Sequence, residues 1–366
     1  MKILKSGFAL VAASLLSLAA RAQQPTVVYT DASAFPVYGK CVDTTSARYE
    51  RLPASCEQLC RPAVWRLGRN SAGLYIRFRS DSPSVRARWE SLQKNHMPHQ
   101  ADAGCNGLDL YILDDGQWRF AGSGFVWGQD TLKTARLVGN MTPRMREYML
   151  YLSLYDGVKR LEIGVEEGSI LEGPSVDSPK SDRPVVMYGT SILQGGCASR
   201  PGMAFTNILA RRLDREVINL GFSGNALLDY EIAQLMAQVA DPAVFVLDYV
   251  PNASAQQIAG KGERFFRILR DAHPGVPVVF VEDPLYPHSA FDRKIRAEIA
   301  AKNEAQHALF LKLKKAGEKK LYYIPADRLI GTDGEATVDG VHFTDLGMMR
   351  YAEAVLPVLR KALRER

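Results

Sequence analysis

The sequence predicts a two-part chain: an all-β, jelly-roll-like domain, then an α/β domain built as a three-layer α/β/α sandwich around a parallel sheet. Three observations predict it. Between residues 27 and 165, short alternating segments such as AGLYIRFRS, VRARWES, LDLYILDD and YMLYLSLY are divided by the turn-forming stretches DDGQ and YDGV. That period of two is the mark of half-buried strands, which close most easily as a sandwich or jelly roll. Next comes EGPSVDSPKSDRP, residues 172–184, a linker rich in Pro, Ser and charge. Beyond it, strand-like runs (PVVMYG, EVINLGF, AVFVLDYV, VPVVFVED, LYYIPA) alternate with helical patterns over 204–213, 227–239, 254–272, 289–316 and 344–364. Several of these runs are continuously apolar, as expected of parallel strands covered by helices on both faces.

The first element is an address. Lys2 and Lys5 precede an apolar stretch over 8–20, and Ala20-Arg21-Ala22 forms an A-x-A cleavage signal. At about 13 residues the stretch falls short of the ~20 that span a bilayer. Residues 1–22 therefore read as a signal peptide and the protein as exported, periplasmic or secreted, without stable membrane insertion. The β domain occupies 23–171 and the α/β domain 185–366. The formal charge of +6 falls to about +3 once Lys2, Lys5 and Arg21 are removed, and no dense basic block is interleaved with aromatics. Nucleic acid is not an expected partner. The five cysteines, Cys41, Cys56, Cys60, Cys105 and Cys197, leave room for one or two disulfides in an oxidising compartment, with one thiol over. No Cys/His spacing reads as a zinc site.

In a parallel α/β sheet, ligands bind at the carboxyl ends of the strands. Those ends carry Gly189-Thr190-Ser191, then Ser223-Gly224-Asn225, then Asn252, and finally the loop with Asp339 and His342. Serine hydrolysis needs a nucleophile, a base, a group that orients the base, and donors for the oxyanion. Ser191 offers the hydroxyl. His342 is the one histidine of six with a carboxylate three residues earlier in a Gly-containing loop before the last helix. Asp339 can then hold Nδ1–H and leave Nε2 free to take the serine proton. The amides of Ser191 and Gly224 and the side chain of Asn252 are the candidate oxyanion donors. No metal or organic cofactor is required.

These residues resemble the four blocks of the SGNH hydrolases, also called the GDSL family: Gly189-Thr190-Ser191, Gly224, Asn252 and Asp339-Gly340-Val341-His342. Two departures stand out. Thr190 replaces the family's usual Asp beside the nucleophile, and the third block reads VPNAS instead of Gly-x-Asn-Asp. A closer likeness joins GTSILQGGCASRPGMAFTNILARRL to the upstream GLDLY (residues 107–111). This pair resembles a bacterial SGNH subgroup with an N-terminal GxDLY β domain. The resemblance implies an SGNH-type sandwich and a carbohydrate esterase-like activity on an acylated oligo- or polysaccharide, acetyl being the expected acyl group. A broader carboxylesterase, thioesterase or lysophospholipase, or a carbohydrate binder without chemistry, stays open on the residues alone.

Each candidate also has a plainer reading. Ser191 could cap a helix, Asp339-Gly340 could simply turn the chain, and Gly224 and Asn252 could start helices. Arg200 reads either as a substrate contact or as a surface ion pair. Glu282 and Asp283 would suit a glycosidase pair, though Ser191 and His342 would then be idle. His96 and His99 lack a third metal ligand at readable spacing. Asp109 reads as structural, Cys197 as packing or a disulfide half, and the four tryptophans mainly as core.

Overall fold

The computed structural model describes residues 25–128 and 130–364; the signal-peptide expectation for residues 1–22 lies outside them. Ten strands build the first half: β1 (Val27–Asp31), β2 (Val37–Tyr38), β3 (Tyr75–Ser80), β4 (Val85–Ser91), β5 (Leu108–Asp114), β6 (Gln117–Gly124), β7 (Leu132–Val138), β8 (Arg146–Tyr151), β9 (Val158–Glu166) and β10 (Leu171–Glu172). One antiparallel sheet runs β1-β9-β4-β7, and the other β10-β3-β8-β5-β6 with β2 also on β3. Alternate residues such as Phe78, Trp89, Leu110 and Tyr148 fill the core between them.

A five-stranded parallel sheet forms the second half, in the order β12-β11-β13-β14-β15. Its members are β11 (Val185–Gly189), β12 (Val217–Gly221), β13 (Val244–Asp248), β14 (Val278–Val281) and β15 (Leu321–Ile324). Both faces are buried, as the apolar runs require. Val185 and Met187 pack with helices 205–213 and 345–364, while Val186 and Tyr188 pack with helices 230–236 and 255–272. The expected architecture is borne out. Strand order reverses at β11, which lies between β12 and β13, and the crevice beyond that reversal is where such sheets bind ligands.

Two findings depart from expectation. The short helices Cys56–Leu59 and Pro62–Gly68, inside the stretch read as strands, set Leu52, Cys56, Cys60 and Val64 against the second domain's core. The five cysteines are free thiols, all buried, where one or two disulfides had been left open. Among the described residues, no helix is long and apolar enough to cross a membrane.

Candidate active site

The chain turns sharply after β11. Gly189 is wedged between strands: a Cβ there would meet the Asp248 carbonyl at 2.6 Å. Thr190 then caps a one-turn helix, Ser191–Gln194, its hydroxyl accepting from Ile192 N at 3.2 Å. Thr190 thus takes the cap and Ser191 becomes the first helical residue. Gly195 ends the helix at φ +109°, in the left-handed region that favours glycine. Ser191 is only 6% exposed, yet its Oγ lies 2.9 Å from His342 Nε2.

His342 is held from behind. Its Nδ1 is 2.7 Å from Asp339 Oδ2, and Asp339 Oδ1 accepts from the amides of Val341 (3.0 Å) and His342 (2.8 Å). The Asp-Gly turn and the orienting carboxylate are therefore one device, with Gly340 at φ +92°. Burial opposes the charge on Asp339, but the hydrogen bonds from the His342 ring and the two amides prevail and hold its carboxyl at about 2. It stays ionised wherever the histidine can act as a base. Gly196 makes room for the ring: a Cβ there would meet His342 Cδ2 at 3.0 Å.

The other two blocks leave the sheet beside this turn. β12 pairs with β11 as far as Gly221↔Gly189, and β13 as far as Asp248↔Gly189. Gly224 sits at φ +66° in the loop after β12. Asn252 follows β13, and its Oδ1 accepts from Ala226 N at 3.2 Å, joining the two loops. Other residues hold the N-cap positions of the helices nearby, Asp229 and Ser254, of which Ser254 accepts from Gln257 N. Among the described residues, the amides of Ser191 and Gly224 and the Asn252 side-chain nitrogen donate to no protein acceptor. Unpaired donors on the turn of the serine and on the loops that leave the neighbouring strands suit an incoming oxyanion.

Three supporting residues escaped the sequence reading. Gln194 Oε1 accepts from Ser223 N at 3.1 Å while its Nε2 donates to Leu154 O, also at 3.1 Å. Tyr155 donates its hydroxyl to Ser191 O at 3.1 Å. Arg61 clamps the Gly224 loop through Asn225 Oδ1 and O and through both oxygens of Asp229. None has a spacing signal, because each acts across elements far apart in sequence.

Other candidates have partners of their own. Arg200, read as a substrate contact or an ion pair, is engaged by the β domain: its Nη1 donates to Asp109 Oδ2 and Tyr111 Oη, both at 2.7 Å, and its guanidinium lies 3.8 Å over the Phe120 ring. Asp109 is structural as expected, buried and accepting from Ser123, Arg200 and Gly202 N. Glu282 is occupied by Tyr323 and Ala326, and its neighbour Asp283 is buried, so no glycosidase pair forms. His96 pairs with Asp102. Trp89 is core, whereas Trp127 is 88% exposed beside Phe125.

The family model of the GDSL-like lipase/acylhydrolase family matches residues 182–360, and that of the GxDLY N-terminus of SGNH-type esterases matches 27–171. A crystal structure from Bacteroides ovatus, assigned as a GDSL-like lipase, is 36% identical, with a TM-score of 0.87, 93% of this chain and 98% of that one covered. The salicylyl-acyltransferase SsfX3 of a tetracycline biosynthetic pathway is 18% identical (TM-score 0.74, 93% and 98% covered). A family two carbohydrate esterase from Cellvibrio japonicus is 14% identical (TM-score 0.58, 93% and 98% covered). No curated protein matches the sequence. On the whole-chain likeness at 36% identity and the two matched domains, this chain belongs to the GDSL-like lipase/acylhydrolase family, with the GxDLY domain of SGNH-type esterases at its N-terminus.

Proposed function

We propose that the protein is an exported serine esterase that removes small acyl groups, acetyl foremost, from an acylated oligo- or polysaccharide. The observation that carries this reading is the continuous relay from Ser191 Oγ to His342 Nε2 (2.9 Å) and from His342 Nδ1 to Asp339 Oδ2 (2.7 Å). Ser191 attacks the ester carbonyl as His342 takes its proton, and Asp339 steadies the imidazolium. The oxyanion is received by the amides of Ser191 and Gly224 and by the Asn252 side chain. The sugar alcohol leaves with the proton from His342; water, deprotonated by the same nitrogen, then releases the acid and restores Ser191.

The carbohydrate assignment draws support from the shared fold of the Cellvibrio carbohydrate esterase, and export from the leader pattern. The decisive experiment is acetate release from a panel of acetylated plant and bacterial polysaccharides by the purified protein and its Ser191→Ala variant. Release from at least one glycan, abolished in the variant, is expected. Hydrolysis of octanoyl but not acetyl esters, with every glycan inert, would overturn the substrate assignment. The acyltransferase likeness adds one readout: transfer to an added alcohol in preference to water would recast the enzyme as a transferase using the same acyl-serine.

A further inference from the structure

His99, which the sequence left without a metal partner, meets Cys197 and His342. A ring nitrogen of His99, the sulfur of Cys197 and a ring nitrogen of His342 all lie within 4.8 Å of one another. The two imidazoles are 5.4 Å apart between centres and tilted by 52°. We propose that His99, Cys197 and His342 form a binding site for a soft divalent transition-metal ion, with zinc as the probe, and that the ion shuts off the serine centre by occupying His342 Nε2. The inhibitory part rests on the serine-esterase reading above; the binding part rests on the cluster alone.

The donor set selects the ion. One thiolate with two imidazoles suits zinc and its softer neighbours, not magnesium or calcium. In a tetrahedral site with Zn–N of about 2.0 Å and Zn–S of about 2.3 Å, ligand atoms sit about 3.3–3.6 Å apart. The present cluster closes to that size by side-chain shifts of about 1 Å. His342 is already prepared for the role. A metal-bound histidine commonly gives its other nitrogen to a carboxylate, and Asp339 holds Nδ1 at 2.7 Å. Nε2 is then the ligating atom. Since Ser191 Oγ is 2.9 Å from that nitrogen, an ion there replaces the serine's contact with its base and leaves the fourth position to the serine hydroxyl or to water.

Cys197 adds an independent observation. Its backbone stands at φ +66°, a left-handed conformation that costs a residue with a Cβ and is tolerated where the side chain's position matters. The thiol is buried. On binding, the S–H bond breaks, a sulfur–metal bond forms and the proton leaves to solvent. The ligands also straddle the molecule: His99 comes from the β domain, Cys197 and His342 from the α/β domain.

The test is calorimetric titration of the chelator-stripped full-length protein with zinc chloride, beside Cys197→Ala, His99→Ala and Ser191→Ala variants. Expected are one ion per chain, affinity at least about tenfold weaker in each ligand variant, and retained binding in Ser191→Ala. Cobalt(II) should give a near-ultraviolet thiolate charge-transfer band that Cys197→Ala lacks. Zinc should inhibit p-nitrophenyl acetate hydrolysis, chelator should reverse it, Cys197→Ala should need at least about tenfold more zinc, and magnesium should do nothing. Zinc bound equally well by both ligand variants, or not at all by the parent, overturns the site. Zinc binding through these residues in a protein that hydrolyses no ester would uphold the site and sink the esterase reading. Ester hydrolysis indifferent to bound zinc would do the reverse for the inhibition.

Discussion

The Asn252 side-chain oxygen ties down the loop at Ala226, and its nitrogen is the proposed oxyanion donor. Removal of one preorganised oxyanion donor costs about 10²–10³ in kcat. Asn252→Ala is predicted to lose that much with little change in KM, as steady-state kinetics on a p-nitrophenyl ester will show. Asp283 offers a residue-scale prediction in pH. Its carboxyl is pushed by burial up to about 6, against the pull of Lys302 at 3.8 Å and the Tyr286 hydroxyl. A carboxyl raised above its unfolded value stabilises the fold fully below pH 3.8, and that contribution is lost as pH rises through 6. Lys302 keeps Glu298 as a second partner. Asp283→Asn should therefore match the parent's Tm near pH 4 and exceed it at pH 8. An equal difference at both would refute the charge argument. At this scale the sequence singles out Ser191, Gly224, Asn252 and the Asp339–His342 pair as candidates because they fall in four blocks, in order. The sequence left Arg200 open between a substrate contact and an ion pair, because its closeness to Ser191 says nothing of Asp109, 91 residues away.

The one-turn helix after β11 shows how an element positions the chemistry. Four residues of helix gain little by themselves, so their neighbours must fix them. Gln194 does this between the Gly224 loop and Leu154, fully buried. Gln194→Ala leaves Ser223 N and Leu154 O without their partner, each costing about 1–3 kcal/mol. A lower Tm is predicted, together with a fall in kcat larger than any change in KM. A Tm loss with kcat intact would separate Gln194 from the oxyanion loop. The strands of the parallel sheet were legible as apolar runs, because burial on both faces leaves no other composition. β6, β7 and β9 were not, since charged residues interrupt all three and β6 buries only its last residue. The helices over 56–68 were missed for a different reason. They pack against the far domain, and a local pattern cannot say which core a short apolar stretch will join.

Across the whole molecule, the β domain packs against the candidate site, where His99 lies 5.4 Å from His342 between ring centres. Arg51, in the bend before the helix Cys56–Leu59, is buried and donates to Asn219 O (3.0 Å) and Gly221 O (2.9 Å) at the end of β12. Gln100 and Tyr155 brace the turn around Ser191. The GxDLY signature locks onto Arg200-Pro201-Gly202: Asp109 takes the Arg200 guanidinium and Gly202 N, and a Cβ at Gly202 would meet Tyr111 Oη at 2.3 Å. Arg200→Ala leaves the buried Asp109 carboxylate unpaired, a loss of about 3–5 kcal/mol. Denaturant unfolding should report that loss, and kinetics should find KM unchanged in the protein that remains folded. Arg200→Lys should not restore stability, because an ammonium cannot also lie flat on Phe120. A raised KM at full stability would return Arg200 to the substrate.

The central claim is that Ser191 is a nucleophile activated by His342. Reaction with a fluorophosphonate, followed by peptide mapping, tests it most directly. The account predicts a single adduct on Ser191, loss of esterase activity in step with labelling, and no adduct when His342 is replaced by alanine. Labelling of another residue, or full activity after Ser191 is labelled, would contradict it.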